Sequence, residues 1–235
     1  MGKTVLIIST LDTKGAETLY LRDKIVSLDL KPLLMDISMR GSEGEKPDIT
    51  AEQIAVAGGS TFEAIYESRD RSSITNTMMT GASRLAFDLL KEEKLDGVIA
   101  LGGSTGSLIA TTVMRALPFG IPKVMISSTA ALPGLSTRYI GTGDILLFHS
   151  VIEISGVTDL LKNVIDRAAH ALAGMLHEAI TSPKDQQGKT IALTMLGPCE
   201  QCASSVRKTL EQEGFQVIGF SAAGIGDRAM EDMIA

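Results

Sequence analysis

The sequence predicts an α/β protein: a Rossmann-like parallel sheet with helices on both faces, followed by the start of a second, similar α/β subdomain. Three observations carry this. Short apolar runs such as TVLIIS at residues 4–9 lack the polar alternation of a half-exposed strand, as expected where helices cover both faces of a parallel sheet. Segments with helical spacing separate those runs, giving a βαβ rhythm. Residues 96–114, DGVIALGGSTGSLIATTVM, pass from an apolar run through a glycine turn into a helical pattern, and the chain is organised around this strand, turn and helix.

Taken in order, the strand at residues 4–9 ends in a polar loop over 10–15, and residues 16–28 follow as a helix using Leu19, Leu21, Ile25, Val26 and Leu28, stopped before Pro32. A second strand at 33–37 leads to a loop with Asp36, Arg40 and Gly41. Residues 41–61 are rich in Gly, Glu, Ser and Pro and read as an excursion over the sheet edge. A short helix at 50–57 begins there with Thr50-Ala51-Glu52-Gln53, the spacing of a capping box. A long helix at 71–94 buries Ile74, Met78, Leu85, Leu89 and Leu90 and feeds the central strand. Pro118, Gly120 and Pro122 stiffen the connection into a strand at 123–126, which runs into Ser127, Ser128 and Thr129. An apolar run at 145–148 and an amphipathic helix at 160–180 complete a first domain spanning residues 1–180.

Residues 181–188, TSPKDQQG, read as a linker. Residues 189–235 then restart the pattern. KTIALT echoes the opening KTVLII, and a helix at 204–213, a strand at 215–220, a glycine turn at Gly224 and Gly226 and a helix at 227–234 follow. Two strands and two helices do not make a stable sheet alone. The expectation is therefore a chain truncated within its second subdomain, or one whose partner strands come from another polypeptide, with a homo-oligomer as the expected assembly.

A net charge of −6, a pI near 5.1 and no block of Lys or Arg argue against nucleic acid as a partner. No apolar run approaches the roughly 18 residues of a membrane span and the first residues lack a signal-peptide layout, so a cytoplasmic protein is expected. Met1-Gly2 leads straight into a strand, which speaks against acylation. Two cysteines make no disulfide framework.

The turn Gly102-Gly103-Ser104-Thr105-Gly106 admits three readings. Glycines that reach φ > 0 let a ligand approach bare backbone, and the following helix offers unpaired N–H groups and a positive dipole end, so phosphate is the natural occupant. The same residues spell G-x-S-x-G, the nucleophile elbow of serine hydrolases, with Ser104 then needing Asp144 and one of His149, His170 or His177. The bland reading is a turn that only packs helix on strand. The histidines lie on strand or helix segments rather than loops, which weighs against a triad. The turn is no Walker loop, having no lysine at the required place. Lys14 from the neighbouring loop supplies that charge unless it is merely solvated, and Asp12 suits a metal ion or a ribose hydroxyl. Loops after Ser9, Ile37, Leu101 and Ile126 should face one crevice, which adds Ser127 and Ser128 to the candidates. Cys199-Glu200-Gln201-Cys202 opens a helix as a redox dithiol does, or is a packed, incidental pair; two ligands alone make no zinc site.

TLDTKGAE at 10–17, GGSTGSLIATTVMRALPFGIPKVMISS at 102–128, the SVIEISGV and AAHALAGM segments and GIGDRAMEDMI at 224–234 occur in order. Together they resemble the Tm-1-like ATP-binding domain family, also called UPF0261, over essentially the whole chain. The resemblance implies longer relatives with two Rossmann-like subdomains and ATP binding in the first. It also implies nucleotide contacts from Asp12, Thr13 and Lys14, from Gly102, Gly103, Ser104, Thr105 and Gly106, and from Arg71. ATP, with or without Mg²⁺, is thus the expected cofactor, and no resident metal site is expected. Relatives often carry a second glycine where Thr105 stands, so this turn is slightly stiffer. The family implies no defined chemistry, which leaves open a hydrolase using Ser104 and a non-catalytic, nucleotide-regulated interaction module.

Overall fold

The computed structural model describes residues 2–40, 44, 46–177 and 189–234. The chain divides into two compact units, residues 1–140 with 144–178, and residues 141–143 with 179–235. The expected linker at 181–188, Gly41 and the last turn expected of the 160–180 helix lie outside the described residues. Among the described residues no helix is long and apolar enough to cross a membrane.

The first unit is built on β1 (Thr4–Ser9), α1 (Leu11–Ser27), β2 (Lys31–Asp36), α2 (Ala51–Ala57), α3 (Phe62–Glu67), α4 (Arg71–Lys91), β3 (Gly97–Gly102), α5 (Ser104–Ala116), β4 (Lys123–Ser127), α6 (Leu135–Ile140), β5 (Leu146–His149) and α7 (Asp159–His177). All five strands are parallel, in the order β2-β1-β3-β4-β5, with Ile7 opposite both Leu34 and Ile99 at the centre. This is the doubly wound α/β architecture the sequence predicts.

The pleat explains the unbroken apolar runs. Val5 and Ile7 point into one core with Leu21 and Ile25 of α1 and Leu161, Ile165, Ala168 and Leu172 of α7. Leu6 and Ile8 point into the other with Ile54 of α2, Met78 and Ala82 of α4 and Ile109 and Val113 of α5. Both sets are fully buried, so neither side of the strand has room for a polar residue. Right-handed crossovers fix which helix goes where: the chain moves one way from β1 to β2 and the other way from β3 to β4, so α1 and α5 fall on opposite faces.

The second unit pairs β6 (Thr190–Met195) with β7 (Gln216–Ser221) in parallel, with α8 (Glu200–Gln212) and α9 (Ile225–Ile234) alongside and a 3₁₀ turn at Gly197–Cys199. Its strands keep partial exposure at every position.

Local structure departs from expectation at several places. The first helix begins at Leu11 rather than after a loop. The Thr10 carbonyl accepts from Thr13 N and Lys14 N at 3.2 and 2.8 Å, and this first turn breaks at Lys14, whose φ and ψ are −130° and 24°. At its far end α4 stops at Lys91, since Glu93 adopts a φ of 55° that turns the chain toward β3. Two helices of six residues, α3 and α6, go unannounced by periodicity; Thr61 caps α3 by accepting from Ala64 N at 3.2 Å.

Two features hold this unit at its margins. A Cβ on Gly81 of α4 would lie 1.9 Å from the Ile54 carbonyl oxygen, so α2 and α4 meet backbone to backbone. At the amino ends of β4 and β5, the wholly buried Lys123 donates to Asp144 Oδ1 at 2.5 Å and to the Pro118 carbonyl at 2.8 Å, while Gly120 N donates to Asp144 Oδ2 at 2.8 Å. Burial pushes the Lys123 ammonium below its usual value and Asp144 pulls it partly back.

Two outcomes follow. Gly81→Ala gains about 1 kcal/mol of helix propensity. The clash is with a backbone oxygen that cannot rotate away, so urea unfolding should show a net loss of about 2 kcal/mol. Lys123→Met leaves the Asp144 carboxylate without its cation, and the same measurement should show a loss of about 2–3 kcal/mol, short of a fully buried pair because Asp144 is partly solvated.

Candidate functional site

Because β1 and β3 send their chains in opposite directions, the loops at their carboxyl ends part and leave a crevice at that point of the sheet. A cleft of about 1040 Å³ opens there. Its walls are Thr10, Asp12, Thr13 and Lys14 after β1; Ile37, Met39 and Arg40 after β2; Gly103, Ser104, Thr105 and Gly106 after β3; and the corner between α3 and α4, with Ile65, Tyr66, Ser68, Arg69, Arg71, Ile74 and Thr75. Eight of the sequence candidates, Asp12, Thr13, Lys14, Arg71, Gly103, Ser104, Thr105 and Gly106, are thereby brought together.

Gly103 sits at the N-cap of α5 with no side-chain cap, and its carbonyl accepts from Ser107 N at 2.8 Å. The N–H groups of Ser104, Thr105 and Gly106 have no acceptor among the described residues, so three donors and the positive end of a 13-residue helix open on the cleft. The glycines act here through size rather than handedness. None of Gly102, Gly103 and Gly106 has a positive φ, contrary to the left-handed turn expected from sequence. A Cβ on Gly102 would lie 3.2 Å from Gly106 Cα, which is how closely α5 seats on the end of β3.

The charge of the cleft runs against that of the chain. Lys14, Arg40, Arg69 and Arg71 line it with Asp12 as the single carboxylate among the described lining residues, in a protein of net charge −6. None of these four cations has a carboxylate partner among the described residues. Two nearby acids are turned to other work. Asp70 caps α4, accepting from Ser72 N and Ser73 N at 3.0 and 3.2 Å. Asp36 ends β2 at the place where dinucleotide folds carry an acid for the ribose hydroxyls. Here it is 2% exposed, and its Oδ1 accepts from Leu11 N at 3.1 Å, from Ser38 N at 2.9 Å and from the Ser38 hydroxyl. Asp12 N donates in turn to Ser38 Oγ at 3.0 Å. The carboxylate thus ties the β1 and β2 loops together.

The remaining sequence candidates lie outside the lining. Gly102 is buried, its carbonyl accepting from Ser128 N at 3.3 Å. Ser127 is wholly buried, with its hydroxyl 2.7 Å from that of Ser107 and accepting from Thr129 N at 3.2 Å. Ser128 borders Gly103, where an added Cβ would come within 3.9 Å of the Ser128 hydroxyl. The loop after β4 therefore flanks the cleft, and the corner between α3 and α4 supplies the wall expected of it.

A hydrolase triad is not assembled. Asp144 is held by Lys123 at the amino end of β4, and Ser104 sits past the carboxyl end of β3, which pairs with Ser127. Four residue steps along β4 from Lys123 to Ser127 put the two ends about 13 Å apart. His149 Nδ1 lies 3.3 Å from the Ser127 carbonyl, and His170 and His177 ride on α7, across the sheet from α5. Among the described residues no three His, Cys, Asp or Glu side chains gather as a metal site. Cys199 and Cys202 are free and exposed at the start of α8. Sequence reasoning missed Arg40, Arg69 and Tyr66 as cleft residues. The strand-end rule pointed to Arg40, whereas Tyr66 and Arg69 depend on the short α3.

A family model described as "Uncharacterised protein family (UPF0261) N-terminal domain" matches residues 3–181, and the corresponding C-terminal domain matches residues 188–235. A "UPF0261 protein" of Clostridium tetani (strain Massachusetts / E88) is 38% identical over 234 residues, covering 100% of this chain and 57% of that protein. A UPF0261 protein of Brucella suis biovar 1 (strain 1330) is 31% identical, covering 98% of this chain and 55% of its own length. The "ToMV resistance protein Tm-1(GCR237)" of Solanum lycopersicum is 42% identical over 147 residues, 61% of this chain and 19% of that protein. The chain spans little more than half the length of the bacterial relatives. With both domain models matched in order across it, the chain belongs to the UPF0261 family.

Proposed function

We propose that the cleft binds ATP, with the phosphates on the Ser104, Thr105 and Gly106 N–H groups and the Lys14 and Arg71 side chains closing over them. One observation carries this: four cations and three N–H donors, without carboxylate partners or acceptors among the described residues, converge in a chain that is acidic as a whole. Such a site favours a multiply charged anion. The cleft volume suits a nucleotide rather than a simple ion. The half-buried Met39 and the exposed Tyr66 give it the apolar surface a base needs. The family resemblance points to the same ligand. A Mg²⁺ would arrive with the phosphates, which usually supply most of its ligands, and Asp12 is the carboxylate in place to meet it.

Asp36 stands where dinucleotide folds carry their ribose-binding acid, and its Oδ1 is taken up by Leu11 N and Ser38 N, which departs from the NAD pattern. ATP at about a hundred times its Kd should stabilise the protein by about 2.7 kcal/mol, roughly 5–10 °C in a thermal melt, and NAD at the same concentration should leave the melt unchanged. No shift with millimolar ATP, with and without Mg²⁺, overturns the proposal. Lys14→Ala and Arg71→Ala should each raise the Kd for ATP about tenfold in calorimetry, the worth of one charge-assisted hydrogen bond.

A further inference from the structure

The cleft has two unlike flanks. Ile49, just before α2, bridges Met35 of β2, α3 packs on α2, and α4 lies between α2 and α5. The corner carrying Tyr66 and Arg69 therefore lies toward the β2 flank, beside Arg40 from the β2 loop, while the N-terminus of α5 lies on the β3 flank across the β1 loop. A nucleotide whose phosphates rest on α5 directs its nucleoside to the β2 flank. That flank carries Arg40 and Arg69, both exposed and both without a carboxylate partner among the described residues. In dinucleotide folds an acid at the end of β2 selects a free ribose, and an arginine in the following loop accommodates a phosphorylated one. Here the acid, Asp36, is buried against Leu11 N and Ser38, and the arginine four residues on lines the cleft. Two guanidiniums facing a neutral nucleoside would leave their charge unused. The volume, at the upper end of the small-molecule range, leaves room for a further group.

We propose that Arg40 and Arg69 form a second anion subsite, which takes a phosphate carried on the ribose of the bound nucleotide. The inference rests on the nucleotide reading of the cleft and extends it from adenosine 5′-phosphates to ribose-phosphorylated ones. Either a 2′- or a 3′-phosphate supplies the chemistry, and the test separates them.

The test is calorimetry of the protein at about 0.15 M salt with AMP, ADP, adenosine 2′,5′-bisphosphate and adenosine 3′,5′-bisphosphate, where screening removes most long-range attraction. One bisphosphate should bind about tenfold tighter than AMP and tighter than ADP, which carries similar charge on the 5′ side alone; the tighter isomer identifies the hydroxyl. In Arg40→Ala/Arg69→Ala, whose unliganded melting temperature reports folding, the ratio of the AMP Kd to the bisphosphate Kd should fall to about one, and Arg40→Lys/Arg69→Lys should restore part of it. Bisphosphates that bind no tighter than AMP, or a preference that survives the double alanine variant, overturn the subsite while ADP and ATP binding keeps the nucleotide reading. Absence of binding by every adenine nucleotide overturns both.

Discussion

The reversal of chain direction between β1 and β3 sets where the helices pack and where the sheet opens. Right-handed crossovers allow the chain to build outward from the sheet centre in both directions only by placing α1 and α5 on opposite faces, and the loops feeding those helices must then separate. The crevice needs no side chain to prop it open. It follows from a strand order in which β1 lies between β2 and β3. Fully buried apolar residues on both faces of β1, such as Leu6 and Ile7, make that arrangement stable, and so fix where a ligand can enter.

What the crevice can hold is decided by how backbone groups are used around it. On the β3 side, the absence of a side-chain cap at Gly103 and the close seating of α5 on Gly102 leave three donors unmet. On the β2 side the opposite holds: Asp36 satisfies Leu11 N and Ser38 N, and Ser38 Oγ satisfies Asp12 N, which fixes the β1 loop from which Lys14 projects. One rim is rigid and spent, the other rigid and available. Preorganised donors of this kind bind an anion without the cost of rearranging at the moment of binding.

The sheet, its parallel sense and the glycine turn were legible in the sequence because unbroken apolar runs and helical spacing report burial directly. The short helices α3 and α6 were not, since six residues are too few for a periodic pattern and depend on a local cap such as Thr61. Lys14 and the Gly103–Gly106 turn could be placed from the strand-end rule. Arg40 lay in a loop the same rule points to, but Arg69 could not be assigned, because exposed arginines look alike until a fold brings them to one wall. Ser127 shows the converse: a hydroxyl at a strand end reads as a ligand donor, yet here it closes a buried bond with Ser107. The roles of the glycines likewise depended on an approach between Gly102 and Gly106 that only packing reveals.

On the proposed reading, the N–H groups of Ser104, Thr105 and Gly106 receive the phosphates of a nucleotide. Amide resonances in a ¹⁵N–¹H correlation spectrum, followed through a titration with ATP, test it most directly. Saturable movement of these three signals together with Lys14, and none at Cys199 or Cys202, is the predicted result. Saturable binding that leaves the signals of residues 104–106 in place would contradict it.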